Sequence, residues 1–442
     1  MMAGVLVRWR WLVLVGGLPL AAPLAPADGQ APSRILRERA RTMLHQLRKD
    51  LESHYYDPTY RGVDLDATFA EAETRVGNAG SVDELMAVIA QTSLQLGDSH
   101  TYFVPPLRTV VVDYGWEMRM IGDTCVVTEV RARSDAEKQG LRPGDMVVSV
   151  NGYRPTRENL WQLAYVFHAL RPQPGLRVVA RTAGAEPRQL DLAARVRQRR
   201  RVLDLTAKDG GRDIWDLLDE ARSEAAKLRS KHAELDSGTL VWRLEEFSEN
   251  LEDARALVRR ARERTTLVLD LRGNPGGAEE TLLWLLGHLY EGDVPVATIV
   301  SRAATDTLVA RGRGGEAFGG RLVVLVDSKS GSASEIFART VQLTGRGIVI
   351  GDRTSGSVMR SRHHPHRSGA ETVVTYGVSV TTADVVMPDG GRLEGRGVVP
   401  DEVVLPTTAD IAAGRDPVLA RALKLAGVTI SPGAAGSLNL YR

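Results

Sequence analysis

Between Thr239 and Leu343, short apolar strands alternate with amphipathic helices, and that alternation leaves few folds open. Thr239–Leu244, Thr266–Leu271 and Leu322–Val326 read as strands, and Asn250–Arg264, Glu279–Tyr290 and Ala333–Leu343 as helices. Strands so uniformly apolar have to be covered on both faces, which predicts an α/β core. That core is assigned to residues 237–408, with a C-terminal extension over 409–442.

A chain of 442 residues, 43% hydrophobic and 25% charged, exceeds one ordinary core and predicts a soluble protein of two or three domains. Its first residues depart from that character. Arg8 and Arg10 precede an apolar run, Trp11–Leu20, and then the small-residue site Ala25-Pro26-Ala27, the pattern of a secretory signal peptide over residues 1–27. The run is short and holds Gly16, Gly17 and Pro19, so cleavage is expected, with an uncleaved anchor as the alternative. The mature chain then has no membrane span, and its expected location is periplasmic or extracellular.

Removing residues 1–27 takes away two arginines and no acids, so the formal charge falls from +2 to zero. Neither nucleic acid nor another polyanion is expected as a partner. The one basic cluster, Arg195 to Arg201, reads as a solvated linker. Cys125 is the only cysteine, which excludes an internal disulfide, and Thr124-Cys125-Val126-Val127 reads as a buried strand.

Ahead of the core, residues 33–107 are helical, with Leu36, Met43, Leu44, Leu47 and Leu51 at three- and four-residue spacing and a second run from Ser81 to Leu94. Residues 110–196 change to short strands and turns. Within them Ala136–Asp145 is followed by the strand Met146–Val150 and the turn Asn151-Gly152, a small β-domain pattern. Residues 205–236 are read as a helical insertion, a charged amphipathic helix from Asp213 to about Leu235 with Trp215, Leu218 and Ala225 toward one side.

Two turns of the core could carry chemistry. Leu322–Val326 runs through Asp327-Ser328-Lys329-Ser330-Gly331 into Ser332-Ala333-Ser334-Glu335, where a serine at a helix start lies beside free amides and the positive end of the helix dipole. The same spacing, Ser332-x-x-Glu335, is also a capping box. Leu267–Leu271 leads into Arg272-Gly273-Asn274-Pro275-Gly276-Gly277, a glycine turn able to expose amides to a ligand or simply to pack tightly. It is not a dinucleotide fingerprint: the glycine spacing differs, and Glu279-Glu280 would repel phosphate.

Taken together, Asp270–Gly277 ("D-x-R-x-N-x-G-G") and Ser332–Glu335 ("S-A-S-E") resemble the core of the C-terminal processing, or tail-specific, proteases and their tricorn-like relatives. Leu96–Thr101 and Glu394–Asp401 extend the resemblance in the same order. It implies a ClpP/crotonase-like α/β peptidase core with an N-terminal helical arm. Ala136–Gly152 resembles a PDZ domain, which implies an inserted PDZ-like β-domain that binds a peptide as an added strand. Tyr114, Gly115, Trp116, Glu117 and Met118 then occupy the place of its carboxylate loop, the alternative being an ordinary hairpin start.

The resemblance also implies site residues. Many family members use a serine–lysine dyad, but the lysine position here is Ser357, in Gly351-Asp352-Arg353-Thr354-Ser355-Gly356-Ser357. Lys329 precedes the serine along the chain, so a dyad is not expected. The tricorn-like arrangement instead has Ser332 as nucleophile, His100 as base, and Ser99 with Glu394 holding the other ring nitrogen. Ala333 and Gly276 or Gly277 would then supply the oxyanion-hole amides. No cofactor is implied. His363-His364-Pro365-His366 lacks an acid or cysteine at ligand spacing and reads as an exposed loop near the substrate cleft, with no metal. The expected activity is that of an exported serine endopeptidase acting on proteins or peptides, engaged by their C-termini; homo-oligomerisation stays open. The rival reading is a non-catalytic peptide- or ligand-binding protein on the same fold.

Overall fold

The computed structural model describes residues 31–106, 110–198, 231–235, 238–247, 251–369 and 373–438. Capping chemistry sets the first helices: Ser33, Asp64 and Ser81 side chains accept backbone N–H groups at the starts of α1 (Arg34–His54), α2 (Leu65–Asn78) and α3 (Val82–Leu94). Met43, Leu44, Leu47 and Leu51 of α1 pack against Phe69, Val76, Leu85 and Ile89 of its neighbours. Strand β1 (Tyr102–Val104) follows. The signal-peptide reading lies outside the described residues, and none of the described helices is long and apolar enough to cross a membrane.

The next region holds β2 (Val110–Asp113), β3 (Trp116–Ile121), β4 (Thr124–Val130), α4 (Asp135–Lys138), β5 (Met146–Val150), α5 (Leu160–Tyr165), β6 (Gly175–Arg181), β7 (Arg188–Ala193) and β8 (Arg195–Gln198). β3 to β7 form one antiparallel sheet in sequence order, with β3 on an edge, and β2 pairs with β8. Cys125, Val127, Leu141, Val150, Val178 and Leu192 fill its core.

The remainder comprises β9 (Lys231–Leu235), β10 (Thr239–Arg243), α6 (Glu252–Arg262), β11 (Thr266–Asp270), α7 (Glu279–Gly287), β12 (Val294–Ser301) and β13 (Thr305–Ala310), then β14 (Arg321–Val326), α8 (Ala333–Leu343), β15 (Ile348–Gly351), β16 (Met359–Ser368), β17 (Val374–Val386), β18 (Glu402–Val403), α9 (Thr408–Ala412), α10 (Pro417–Leu425) and α11 (Pro432–Gly436). The main sheet runs β18-β15-β14-β11-β10-β9, parallel except for β9. Alternate residues face opposite layers. Leu240, Trp242, Leu267, Leu269 and Val324 share a core with α6, α7 and α8, whereas Val241, Val268, Val323 and Leu325 pack on Val418, Leu419 and Leu423 of α10. Residues 417–438, within the segment read as a C-terminal extension, supply the layer that covers this face of the core sheet.

Two other expectations change. Of the helix read from Asp213 to Leu235, the described part, Lys231–Leu235, is strand β9 paired antiparallel with β10; the rest lies outside the described residues. His363–His366 is no loop but the middle of β16, which pairs with β17. In register, β11 and β14 end side by side, Asp270 opposite Leu325, so both glycine- and serine-bearing turns emerge together at the carboxyl edge where α/β sheets present their sites. β1 pairs with β17, Tyr102 opposite Ser379, and this brings the segment before it to the same edge.

Candidate active site

Ser332 stands where β14 has turned into α8, with φ 50° and ψ −115°, a conformation rare for a residue with a Cβ. Its N–H is held by Ser357 O at 2.9 Å and Glu335 Oε2 at 3.1 Å. Ser332 and Glu335 do make the reciprocal approach of a capping box, yet the hydroxyl forms no well-formed cap bond to the helix. The residue is thus locked by its backbone while its Oγ stays available.

The glycine turn lies against it. A methyl group on Gly276 would fall 2.7 Å from Ser332 Cβ and 2.9 Å from the Ala333 amide nitrogen, so only glycine permits this approach. Asn274, fully buried, organises the turn: Nδ2 donates to Leu244 O at 2.9 Å, and its own carbonyl accepts from Gly331 N at 2.9 Å and Ser334 Oγ at 3.0 Å. Its Oδ1 takes the Gly276 N–H at 2.8 Å, which removes Gly276 from the expected oxyanion donors. The amides of Gly277 and Ala333 donate to no group among the described residues.

The other half of the site comes from the segment before β1. Ser99 Oγ lies 2.7 Å from His100 Nδ1 and donates to Glu394 Oε2 at 2.9 Å, while Ser99 N–H donates to Glu394 Oε1 at 2.8 Å. A hydroxyl has one proton to give. With it directed to Glu394, Ser99 Oγ accepts from His100 Nδ1–H, and Nε2 carries the free lone pair. Burial pushes the His100 imidazole below the ordinary histidine value, with the Asp98 charge opposing, and burial pushes the Glu394 carboxyl up. Val358 N–H donates to Glu394 Oε2 at 2.7 Å, so the consecutive residues Ser357 and Val358 tie Ser332 to the Glu394–Ser99–His100 chain. No hydrogen bond joins Ser332 Oγ to His100; such contacts commonly tighten only with substrate.

Three buried groups do more than the sequence assigned them. Glu335 accepts from Thr354 Oγ1 (2.5 Å), Gly356 N (2.8 Å), Ser357 N (2.9 Å) and Ser355 Oγ (3.2 Å) besides Ser332, and so shapes the whole 354–357 turn. Asp98 and Asn274 hold their turns in the same manner. Each sits inside a quoted motif, so the signal was position in the motif; the partners are distant in sequence.

Lys329 points away from Ser332, with Nζ 3.5 Å from Glu117 of β3. The β3 strand lies on the turn that precedes Ser332: Arg119 pairs with Asp327 at 2.7 Å, and Ser328 Oγ donates to Met120 O at 2.6 Å. Nearby, Arg157 grips Asp352 with both contacts within 2.7 Å. Two residues expected at the carboxylate loop are otherwise engaged. Tyr114 is buried, its hydroxyl donating to Phe167 O at 3.0 Å, and the Gly115 N–H donates to Asp113 Oδ1 at 3.0 Å. Trp116, Glu117 and Met118 lie along the edge strand itself. His363, His364 and His366 are spread along β16, and no group of three or more metal-ligating side chains converges among the described residues.

Fold and site together define a serine peptidase architecture. Residues 239–404 match the model of peptidase family S41. It is 26% identical to tricorn protease homolog 2 of Streptomyces coelicolor over 85% of this chain, spanning 31% of that protein's length. It is 25% identical to a carboxyl-terminal-processing protease of Picosynechococcus sp. over 73% of each chain. Among solved structures, mature CPAF matches with a TM-score of 0.62 at 14% identity, covering 86% of this chain and 94% of that one, a likeness of fold.

Proposed function

We propose that this protein is an exported endopeptidase that cleaves protein or peptide substrates through an acyl-enzyme on Ser332. The observation that carries the reading is the hydrogen-bonded chain from Glu394 through Ser99 to His100 Nδ1, which leaves Nε2 basic. A serine hydroxyl is too weak an acid to attack an amide unaided, whereas an imidazole with a pKa near or below about 6.5 accepts its proton at neutral pH.

His100 Nε2 takes the Oγ proton as Oγ bonds to the scissile carbonyl carbon. The carbonyl electron pair moves onto oxygen, where the free amides of Gly277 and Ala333 receive it, each worth roughly 3–4 kcal/mol when well aligned. Collapse breaks the C–N bond, and the imidazolium returns its proton to the leaving amine. Water, deprotonated by the same imidazole, then releases the acyl group. Ser99 and Glu394 stabilise the imidazolium and fix its tautomer.

Substrate reaches the site by adding a strand to β3, whose open edge runs from Trp116 and whose next residues touch the nucleophile's turn. With the Gly115 amide already engaged, the C-terminal carboxylate of a substrate is taken by the remaining main-chain donors at the start of β3. Reduced kcat in Ser332→Ala and His100→Ala, both shown to be folded by circular dichroism, tests the reading on an unstructured polypeptide. Cleavage that survives in either variant at the wild-type rate contradicts it.

A further inference from the structure

We propose that Asp98 is the positioning residue of the catalytic histidine, fixing the turn that carries His100 and favouring, by its negative charge, the imidazolium that forms when Ser332 gives up its proton. The inference rests on the reading of His100 as the base. Asp98 is 4% exposed and fully subscribed: Oδ1 accepts from His100 N (2.9 Å), Thr101 N (2.7 Å) and Thr381 Oγ1 (2.7 Å), and Oδ2 from Tyr55 Oη (2.8 Å). These bonds fasten the turn to the end of α1 on one side and to β17 on the other.

A neutral asparagine could serve the same two amides. The charge is what the turn alone does not require, because burying it is costly and no cation pairs with it among the described residues. Arg61, from the segment after α1, donates to Gly97 O instead. The groups around His100 are few: Asp98 on its own turn, Glu394 behind Ser99, Tyr55 from α1 behind Asp98, and the neutral Thr381 from β17. Burial and the neighbouring Asp98 charge push the Tyr55 phenol well above its ordinary value, so Tyr55 remains a neutral donor. Asp98 is therefore the carboxylate that acts on His100 without passing through a hydroxyl.

The test is an NMR titration of His100 in the full chain carrying Ser332→Ala, which removes the hydroxyl and makes the readout independent of activity. Asp98→Asn keeps the shape and deletes the charge; the His100 pKa is expected to fall by about 0.5–1. Tyr55→Phe keeps the charge and removes one donor, so the His100 pKa is expected to hold or rise, a result that stands even if Asp98→Asn fails to fold. An unchanged pKa in Asp98→Asn, or a fall in Tyr55→Phe, overturns the proposal. A shift in the His100 titration that the acid limb of kcat/KM does not follow sinks the base assignment instead.

Discussion

Replacing Glu335 by Gln removes a buried ionisable group from beneath Ser332, and the structure gives its pH dependence a definite sign. Burial pushes this carboxyl up to about 7, against the hydrogen bonds from Thr354, Gly356, Ser357 and Ser332 that favour the anion. A carboxyl whose folded pKa lies above its unfolded value holds its proton more tightly in the native state. Its stabilising contribution is complete below about pH 4.5 and is lost as pH rises through about 7, a swing of about 3 kcal/mol. Glutamine has no proton to lose there, so the variant lacks that slope. It also sets an NH2 group against the Gly356 amide or the Ser357 and Ser332 amides, leaving at least one buried donor unpaired at about 1–3 kcal/mol. Urea unfolding followed by tryptophan fluorescence at pH 5, 6, 7 and 8 should find the variant weaker at pH 5 and the gap closing by pH 8. Parallel pH profiles, or a gap that widens with pH, would mean that the donors outweigh burial and keep the carboxyl ionised throughout.

Gly277→Ala places a methyl group 2.3 Å from Phe247 O at φ +133°, and should lower kcat by about 10²-fold or more while KM changes little. The acid limb of kcat/KM should have its midpoint below about 6.5, because burial lowers the His100 pKa and only the neutral ring is basic. Arg157→Met strands the buried Asp352 carboxylate; breaking such a pair costs about 3–5 kcal/mol and should expose the β3–β7 sheet to limited proteolysis before the core.

The parallel core was legible because its strands are continuous apolar runs and its turns carry glycine and serine at the strand ends, a local pattern. That Ser99, His100 and Glu394 come together follows the order of the motifs, although Ser99 and Glu394 lie far apart in sequence and meet through the pairing of β1 with β17. What escaped depends on partners that no local pattern names. The Gly276 amide is lost to a side chain two residues away, a choice decided by the turn's φ of 111°. Tyr114 became a core residue because the π-helical turn Val166–Leu170 after α5 offers Phe167 O to its hydroxyl. His363–His366 looked like a loop since Pro365 and the three histidines resist the strand pattern, yet an edge position tolerates them. The layer formed by α10 was hidden because its apolar stripe, Val418, Leu419 and Leu423, does not announce which sheet face it covers.

Covalent labelling tests the central claim most directly. The folded protein is treated with a fluorophosphonate at pH 7.5, digested, and mapped by mass spectrometry, alongside His100→Ala and Lys329→Ala. The account predicts a single adduct on Ser332, formed at least about 10³-fold more slowly in His100→Ala and at nearly the wild-type rate in Lys329→Ala. An adduct on another residue, or a Lys329→Ala variant that fails to react while His100→Ala reacts normally, would contradict it.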